Sequence, residues 1–284
     1  MQGTKIIIEK ATVEELAARC SDTLAAKELG IAVSSFYLLR KKYKIPSFTK
    51  LTGNRRARRT GKLLFPGEGV SHPQHANLKI DLFDEVDTET KAYFLGLMAS
   101  DGHTSWKPDA KFISIELQKP DSKVLKILAE ILNYNGKIEA LKREGKKPSE
   151  RLRIYNNELT RSLIENGISE TTETHYASQK LPKALRKDFL RGLIDGDGHI
   201  KFSKKDLNFG TCSDSLIETI SQWCKEEFGI QTSVKTRILP SGKLFYKLTF
   251  GGQPRVILNW MYTDASIYIE RKKIQADTWL SLVE

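Results

Sequence analysis

The chain has 284 residues, 39% hydrophobic and 29% charged, with 46 Lys and Arg against 35 Asp and Glu. This composition suits a globular protein of about two domains, and the net charge of +11 points to a polyanionic partner, most often nucleic acid. It excludes several classes: no apolar run approaches the ~18–20 residues that span a bilayer, the N-terminus has no apolar signal core, and Cys20, Cys212 and Cys224 lack the CxxC spacing of a zinc finger or disulfide framework.

Three short helices are expected first, over residues 13–20, 23–29 and 34–43, with Ser21 and Asp22 as caps and Gly30 closing the second. The small Ala25 and Ala26, the turn at Gly30, and Ile31 and Val33 behind it resemble a helix-turn-helix; any three-helix bundle would share the pattern. On the DNA-binding reading Ser34, Ser35, Tyr37, Arg40 and Lys41 face the duplex. The third helix runs into a stretch, Arg40 to Lys62, with ten basic residues and no acid, including Arg55, Arg56, Arg58 and Arg59. Such an arm can track phosphates. Residues 1–80 carry +9 of the charge surplus, whereas residues 81–284 carry +2. Residues 1–50 are expected as the helical module and 51–87 as basic arm and linker.

The remainder is an internal repeat. YFLGLMASDGH (Tyr93 to His103) and FLRGLIDGDGH (Phe189 to His199) are both short apolar segments with a central Gly, ending in Asp-Gly-His. Each is followed by the same predicted series: a strand pair (104–107 and 111–118; 199–203 and 206–212), a helix (121–132; 214–228), a second strand pair (136–143 and 151–156; 231–238 and 243–250) and a helix (157–166; 254–262). The halves span 88–180 and 181–284. Gly96 with Ser100, and Gly192 with Gly196, put small residues one helical turn apart, so two such helices can pack at close range. Asp101 and Asp197 would then emerge side by side at two helix C-termini, themselves negative poles. Paired carboxylates there suit a cation, and hard oxygen ligands suit magnesium.

FLGLMASDG (Phe94 to Gly102) and LRGLIDGDG (Leu190 to Gly198) resemble the motif of the LAGLIDADG homing endonucleases in their single-chain, two-motif form. The likeness covers about residues 88–284; the first copy departs, with Ala99 where the family's earlier acid sits. The resemblance implies an α+β fold: two pseudo-symmetric αββαββα halves whose curved antiparallel sheets form a saddle over DNA. Asp101 and Asp197 would bind Mg2+ (Mn2+ or Ca2+ substituting in binding), with Ser100 and Gly196 completing the metal set. Lys272, in ASIYIERKK, falls at the basic position that orders the attacking water, and Gln118 at the first-half polar position. The counterpart of Gln118 is open among Gly210, Thr211 and Cys212. The first-half segment SETTETHY has Thr172 where a basic residue is expected, with Lys180 nearby, which leaves equal cleavage of the two strands open. His103 and His199 read as strand-start surface or DNA contacts. Alternation offers Arg151, Arg153 and Tyr155 on one face opposite Leu152 and Ile154. Ser233, Lys235 and Arg237 alternate with Val234, Thr236 and Ile238. Lys201 and Lys247 complete the expected DNA-contacting set.

The expected activity is Mg-dependent, site-specific cutting of double-stranded DNA at a long pseudo-palindromic site. It would be performed by a monomer with no membrane association, in the cytoplasm of a bacterial or phage-infected cell, in the service of intron homing. The alternative is a catalytically weakened DNA-binding regulator or a group I intron maturase. An intein is disfavoured, since the given sequence lacks a terminal His-Asn and a splicing Cys or Ser.

Overall fold

A computed structural model describes residues 8–20, 22–45, 77–107, 110–168 and 181–282. The expected cap Ser21, the arm residues Arg55, Arg56, Arg58 and Arg59, and Thr172 and Lys180 lie outside the described residues. The chain divides into two units, residues 1–72 and 73–284. Among the described residues no helix is long and apolar enough to cross a membrane.

The first unit holds α1 (Lys10–Arg19), α2 (Asp22–Glu28) and α3 (Val33–Lys42), near the expected bounds. Its core is small: Val13, Leu16 and Ala17 of α1, Ala25 and Ala26 of α2, Phe36 of α3 and Ile45 beyond it. The two alanines let α2 lie close to α3, and Gly30 takes a left-handed φ of +66° in the turn between them. Ser34, Ser35, Tyr37 and Lys41 are exposed. Arg40 is not. It is 8% exposed, donates to both Asp22 carboxylate oxygens at 3.0 and 2.9 Å, and donates to the Ile45 carbonyl. The expectation that Arg40 faces DNA is corrected: its position on α3, one turn after Phe36, points it into the unit, where Asp22 compensates its charge.

In the second unit each half performs helix, two strands, helix, two strands, helix. The first half comprises α4 (Glu89–Asp101), β1 (Gly102–Lys107), β2 (Ala110–Gln118), α5 (Lys123–Ile131), β3 (Glu139–Leu141), β4 (Ser149–Ile154) and α6 (Asn157–Glu165). The second comprises α7 (Arg186–Asp197), β5 (His199–Lys201), β6 (Asp206–Thr211), α8 (Asp214–Phe228), β7 (Ser233–Ile238), β8 (Leu244–Thr249) and α9 (Pro254–Tyr262). A further helix, α10 (Glu270–Ser281), follows. The antiparallel sheets have matching orders, β1-β2-β4-β3 and β5-β6-β8-β7.

One face of each sheet is apolar for a simple reason: strand residues alternate sides. Ile113, Ile115 and Leu117 of β2 and Leu152 and Ile154 of β4 turn inward, as do Leu207, Phe209 and Leu248. Helices cover them with stripes such as Val124, Leu125, Leu128 and Ala129 of α5. Side-chain caps start α6 and α8, where Asn156 accepts from the Leu159 amide at 2.9 Å and Ser213 from the Leu216 amide at 3.2 Å.

Two expectations are corrected. Residues 77–87 are not linker, because Leu78, Leu82 and Phe83 are buried in the second unit's core and Asn166 donates to the Phe83 carbonyl at 2.6 Å. The alternation in β7 does not divide an inner from an outer face. All six of its residues are exposed, including Val234 and Ile238, and β7 lies at one edge of its sheet.

Candidate active site and nucleic-acid interface

Helices α4 and α7 pack backbone to backbone. A β-carbon at Gly196 would stand 2.0 Å from Ser100 Oγ and 2.7 Å from Asp101 Oδ2, so the two helix ends bearing Asp101 and Asp197 are in contact. Each helix stops at once: the amide of Gly102 bonds the Met98 carbonyl and that of Gly198 the Ile194 carbonyl, and both glycines are extended. The chain then enters β1 and β5, and the two carboxylates remain at the junction.

Burial, followed by the charge of Asp197, pushes the Asp101 carboxyl up to about 7. Burial also raises Asp197, against the pull of Lys272. Lys272, 3% exposed on α10, donates through Nζ to the Gly198 carbonyl. Its own pKa is brought down to about 8, first by burial and then by the neighbouring Arg271 charge. Asp101 and Asp197 are thus both held above their ordinary range with Lys272 as the nearest lysine, and a divalent cation at this point would favour their charged forms.

Asp195 has a different task. It is fully buried and accepts from the Tyr93 hydroxyl at 2.8 Å, the Tyr262 hydroxyl at 2.5 Å and the Ile269 amide at 2.6 Å. Tyr93 lies on α4 and Ile269 caps α10, so this carboxylate joins the motif pair to the helix that carries Lys272. The pseudo-symmetric position is Ala99. Arg191, also fully buried, donates to Asp188, Glu89 and the carbonyls of Met261 and Ile267, holding the same corner of the unit.

The same cleft, about 420 Å3, is lined by Asp101, Gln118, Asp121, Arg143, Lys146, Lys147, Ser149 and Arg271. Gln118 and Asp101 thus line one cleft. Register identifies its counterpart. His103 pairs with Ser114 and Ser114 with Arg153; His199 pairs with Asn208 and Asn208 with Thr249. Ser114 thus corresponds to Asn208, and counting four residues on, Gln118 corresponds to Cys212, a half-buried free thiol.

The model of the LAGLIDADG-like domain family matches residues 88–166 and 184–254, together more than half of the chain. The chain belongs to this family. Solved structures of similar fold include I-DmoI in complex with DNA and Ca, with TM-score 0.50 at 15% identity over 70% of this chain and 98% of that one. Another is the N-terminal LAGLIDADG domain of DUF199/WhiA, with TM-score 0.46 at 17% identity over 72% and 98%. No curated protein matches the chain.

The LAGLIDADG carboxylates fit a hard cation by their chemistry: two carboxylates at abutting helix ends, Asp101 half-buried and Asp197 exposed, flanked by the small residues Ser100 and Gly196, whose main chain can approach an ion. Among the described residues no cluster of three or more His, Cys, Asp or Glu stands at metal-binding range, so protein side chains alone would leave coordination positions for water and phosphate oxygens.

The outward faces of the two LAGLIDADG sheets differ. In the first half Arg151 is already paired with Glu139 at 2.5 Å, and Arg143 grips both oxygens of Glu116 at 2.5 and 2.8 Å. Arg153 lies over the Phe112 ring at 4.6 Å, and its buried Nε has no hydrogen-bond partner among the described residues. In the second half Lys235 stands directly across from Lys247, and Arg237 from Phe245, over whose ring it lies at 4.7 Å. Lys201 is exposed at the end of β5. His103 and His199 begin their strands on the exposed face, His103 beside Phe112 at 5.5 Å.

Sequence reasoning missed Arg271, Asp121 and the clamping role of Asp195. Arg271 was adjacent to a residue singled out, but which of two neighbouring cations faces which carboxylate depends on the helix direction. The buried Arg191 inside an apolar motif was a legible anomaly, since a buried arginine must find acceptors.

Proposed function

We propose that the chain is a Mg-dependent, site-specific double-strand DNA endonuclease of the homing type, acting as a monomer on a long pseudo-palindromic site. The observation that carries this reading is the pairing of Asp101 and Asp197 at two abutting helix ends, both held above the usual carboxylate range, with Lys272 beside them. Paired carboxylates retained at such electrostatic expense are a functional signature rather than a packing solution.

Asp101 and Asp197, with the main chain at Ser100 and Gly196, would hold the metal. When bound, the metal lowers the pKa of water and stabilises charge on the phosphate. The protein's own groups position the rest. Lys272, its pKa lowered to about 8, is poised to hold or exchange a proton with the attacking water near neutral pH. Gln118, at the cleft wall, orients that water on the first-half side. Arg153, Lys201, Lys235, Arg237 and Lys247 would take phosphates and base edges along the sheets, Arg151 doing so from its pair with Glu139. In the first unit α2, the Gly30 turn and α3 would act as a helix-turn-helix, presenting Ser34, Ser35, Tyr37 and Lys41. With the arm at Arg55, Arg56, Arg58 and Arg59, this unit would add affinity by raising effective concentration.

The second reading, a DNA-binding regulator or intron maturase, draws on the altered first motif. Ala99 weighs little for it, since its counterpart Asp195 spends every bond on Tyr93, Tyr262 and Ile269. The test is cleavage of a genomic or random library in Mg2+, followed by assay of Asp101→Asn and Asp197→Asn. The nuclease reading expects a recovered site and at least ~100-fold slower cutting by either variant. Specific binding without cutting in Mg2+ or Mn2+ favours the second reading.

A further inference from the structure

The first-half segment equivalent to that of Lys272, residues 169–176 (SETTETHY), contains neither Lys nor Arg, and Lys180 is the first basic residue after it. The second half carries a neighbour for the vacant role. Helix α10 enters the cleft between the halves, anchored at its start by the Ile269 amide on Asp195. Adjacent residues on a helix project about 100° apart. Lys272 accordingly turns in toward the Gly198 carbonyl of the second motif, while Arg271 turns to the first half. There its Nε donates to Asp121 Oδ2 at 2.7 Å. Asp121 stands in the turn after β2, three residues beyond Gln118, with its side chain 5% exposed, whereas that of Arg271 is 47% exposed. Both line the cleft with Asp101.

We infer that Arg271 is the catalytic cation for the scissile phosphate served from the first-half side, supplied across the pseudo-twofold by the second half, and that Asp121 is its positioning residue. One helix thereby serves both strands, Lys272 on one side and Arg271 on the other. A guanidinium held at Nε keeps its two terminal amino groups free, which is the fork that grips phosphate oxygens. In the step concerned, a water oxygen bonds to phosphorus and loses its proton to solvent. One P–O ester bond breaks, and the departing oxygen takes a proton from solvent. Arg271 gains or loses no proton and offsets the charge that builds on the non-bridging oxygens.

This inference rests on the nuclease reading, and the experiment separates the two. A duplex carrying the recovered site, with a different dye on each strand, is cut by wild type, Arg271→Ala, Arg271→Lys, Asp121→Asn and Lys272→Ala. In parallel, binding is followed by anisotropy in Ca2+ across a salt series, with thermal melting as the folding control. The expected result is a loss of about 10²-fold or more on one strand for Arg271→Ala, with the other strand changed less than about threefold. Lysine partly restores the rate, and Asp121→Asn lowers the same strand by a smaller factor. Arg271→Ala also lowers the salt slope of binding by about one, while Asp121→Asn, which keeps the cation, leaves it unchanged. Equal slowing of both strands, or no slowing, overturns the inference with nuclease activity intact. A wild type that cuts neither strand overturns the nuclease reading, and with it the catalytic role. An unchanged salt slope for Arg271→Ala overturns the phosphate contact in either case.

Discussion

A β-carbon on Gly96 would stand 2.0 Å from the carbonyl oxygen of Phe189, and reciprocally one on Gly192 would stand 2.0 Å from that of Tyr93. Backbone cannot yield as a side-chain tip can, so either Gly96→Ala or Gly192→Ala forces α4 and α7 apart. Overpacking of this kind typically costs about 1–3 kcal/mol, and here the upper part of that range is expected. Urea denaturation in EDTA measures it. Gly252→Ala, with nothing within 4 Å of its added carbon, is the control and should move stability by less than about 1 kcal/mol.

Asp195 satisfies two tyrosine hydroxyls and one amide while itself fully buried. Asp195→Ala leaves three buried donors without an acceptor, for an expected loss of about 3–5 kcal/mol. Tyr262→Phe removes one donor and its partner bond together and should cost about 1 kcal/mol. In the double variant part of the Asp195→Ala loss is recovered, because one orphaned donor is gone; a strictly additive double-mutant cycle would refute the clamp.

Stability in EDTA should carry the mark of the site's charge. Asp101, with a folded pKa of about 7 set by burial and then by Asp197, binds a proton in the fold that the unfolded chain has released above about pH 4. Its contribution therefore favours the fold at low pH and is lost as pH rises from about 4 to 7. Lys272 has the opposite sign of slope: lowered to about 8, chiefly by burial, it adds stability as pH rises from about 8 toward 10.5. Relative to wild type, Asp101→Asn should be unchanged near pH 4 and about 1–3 kcal/mol more stable above pH 7. Adding Mg2+ at pH 7.5 should raise the melting temperature of wild type and leave that of an Asp101→Asn, Asp197→Asn double variant nearly fixed. Differential scanning calorimetry reads both arms.

Lys235 and Lys247 face each other across β7 and β8, a repulsion that Asp206, 3.8 Å from Lys247, offsets only in part. Lys235→Ala should stabilise the free protein by a few tenths of a kcal/mol while weakening DNA binding and reducing its salt slope by about one. A loss of free-protein stability without change in the salt slope would assign this pair to the sheet rather than to DNA.

Much of the fold was legible because its signals are local. Alternation located every strand pair, and the i, i+3, i+4 stripes located α5, α6, α8 and α9 within a few residues. The duplicated motif announced two halves before any geometry. Less legible were the places where a residue's partner is distant in sequence. Residues 77–87 read as linker because three apolar side chains without periodicity do not identify the core they enter. Arg40 read as a DNA contact because its pair with Asp22 spans 18 positions. The register equivalence of Gln118 and Cys212 needed hydrogen-bonded strands, since the second hairpin is two residues shorter than the first.

The sequence by itself determined the charge surplus, the two halves, the small residues on two apolar helices, and the acid that ends each helix. These follow from composition and short-range spacing, which the chain carries whatever its tertiary contacts. Only the tertiary structure decided that the helices touch closely enough to bring Asp101 and Asp197 together at one site, that Asp195 is a clamp, and that Arg271 turns away from Lys272 toward Asp121. Electrostatic coupling falls off over a few ångströms, and residues some 96 to 170 positions apart come within that range only once the chain has folded.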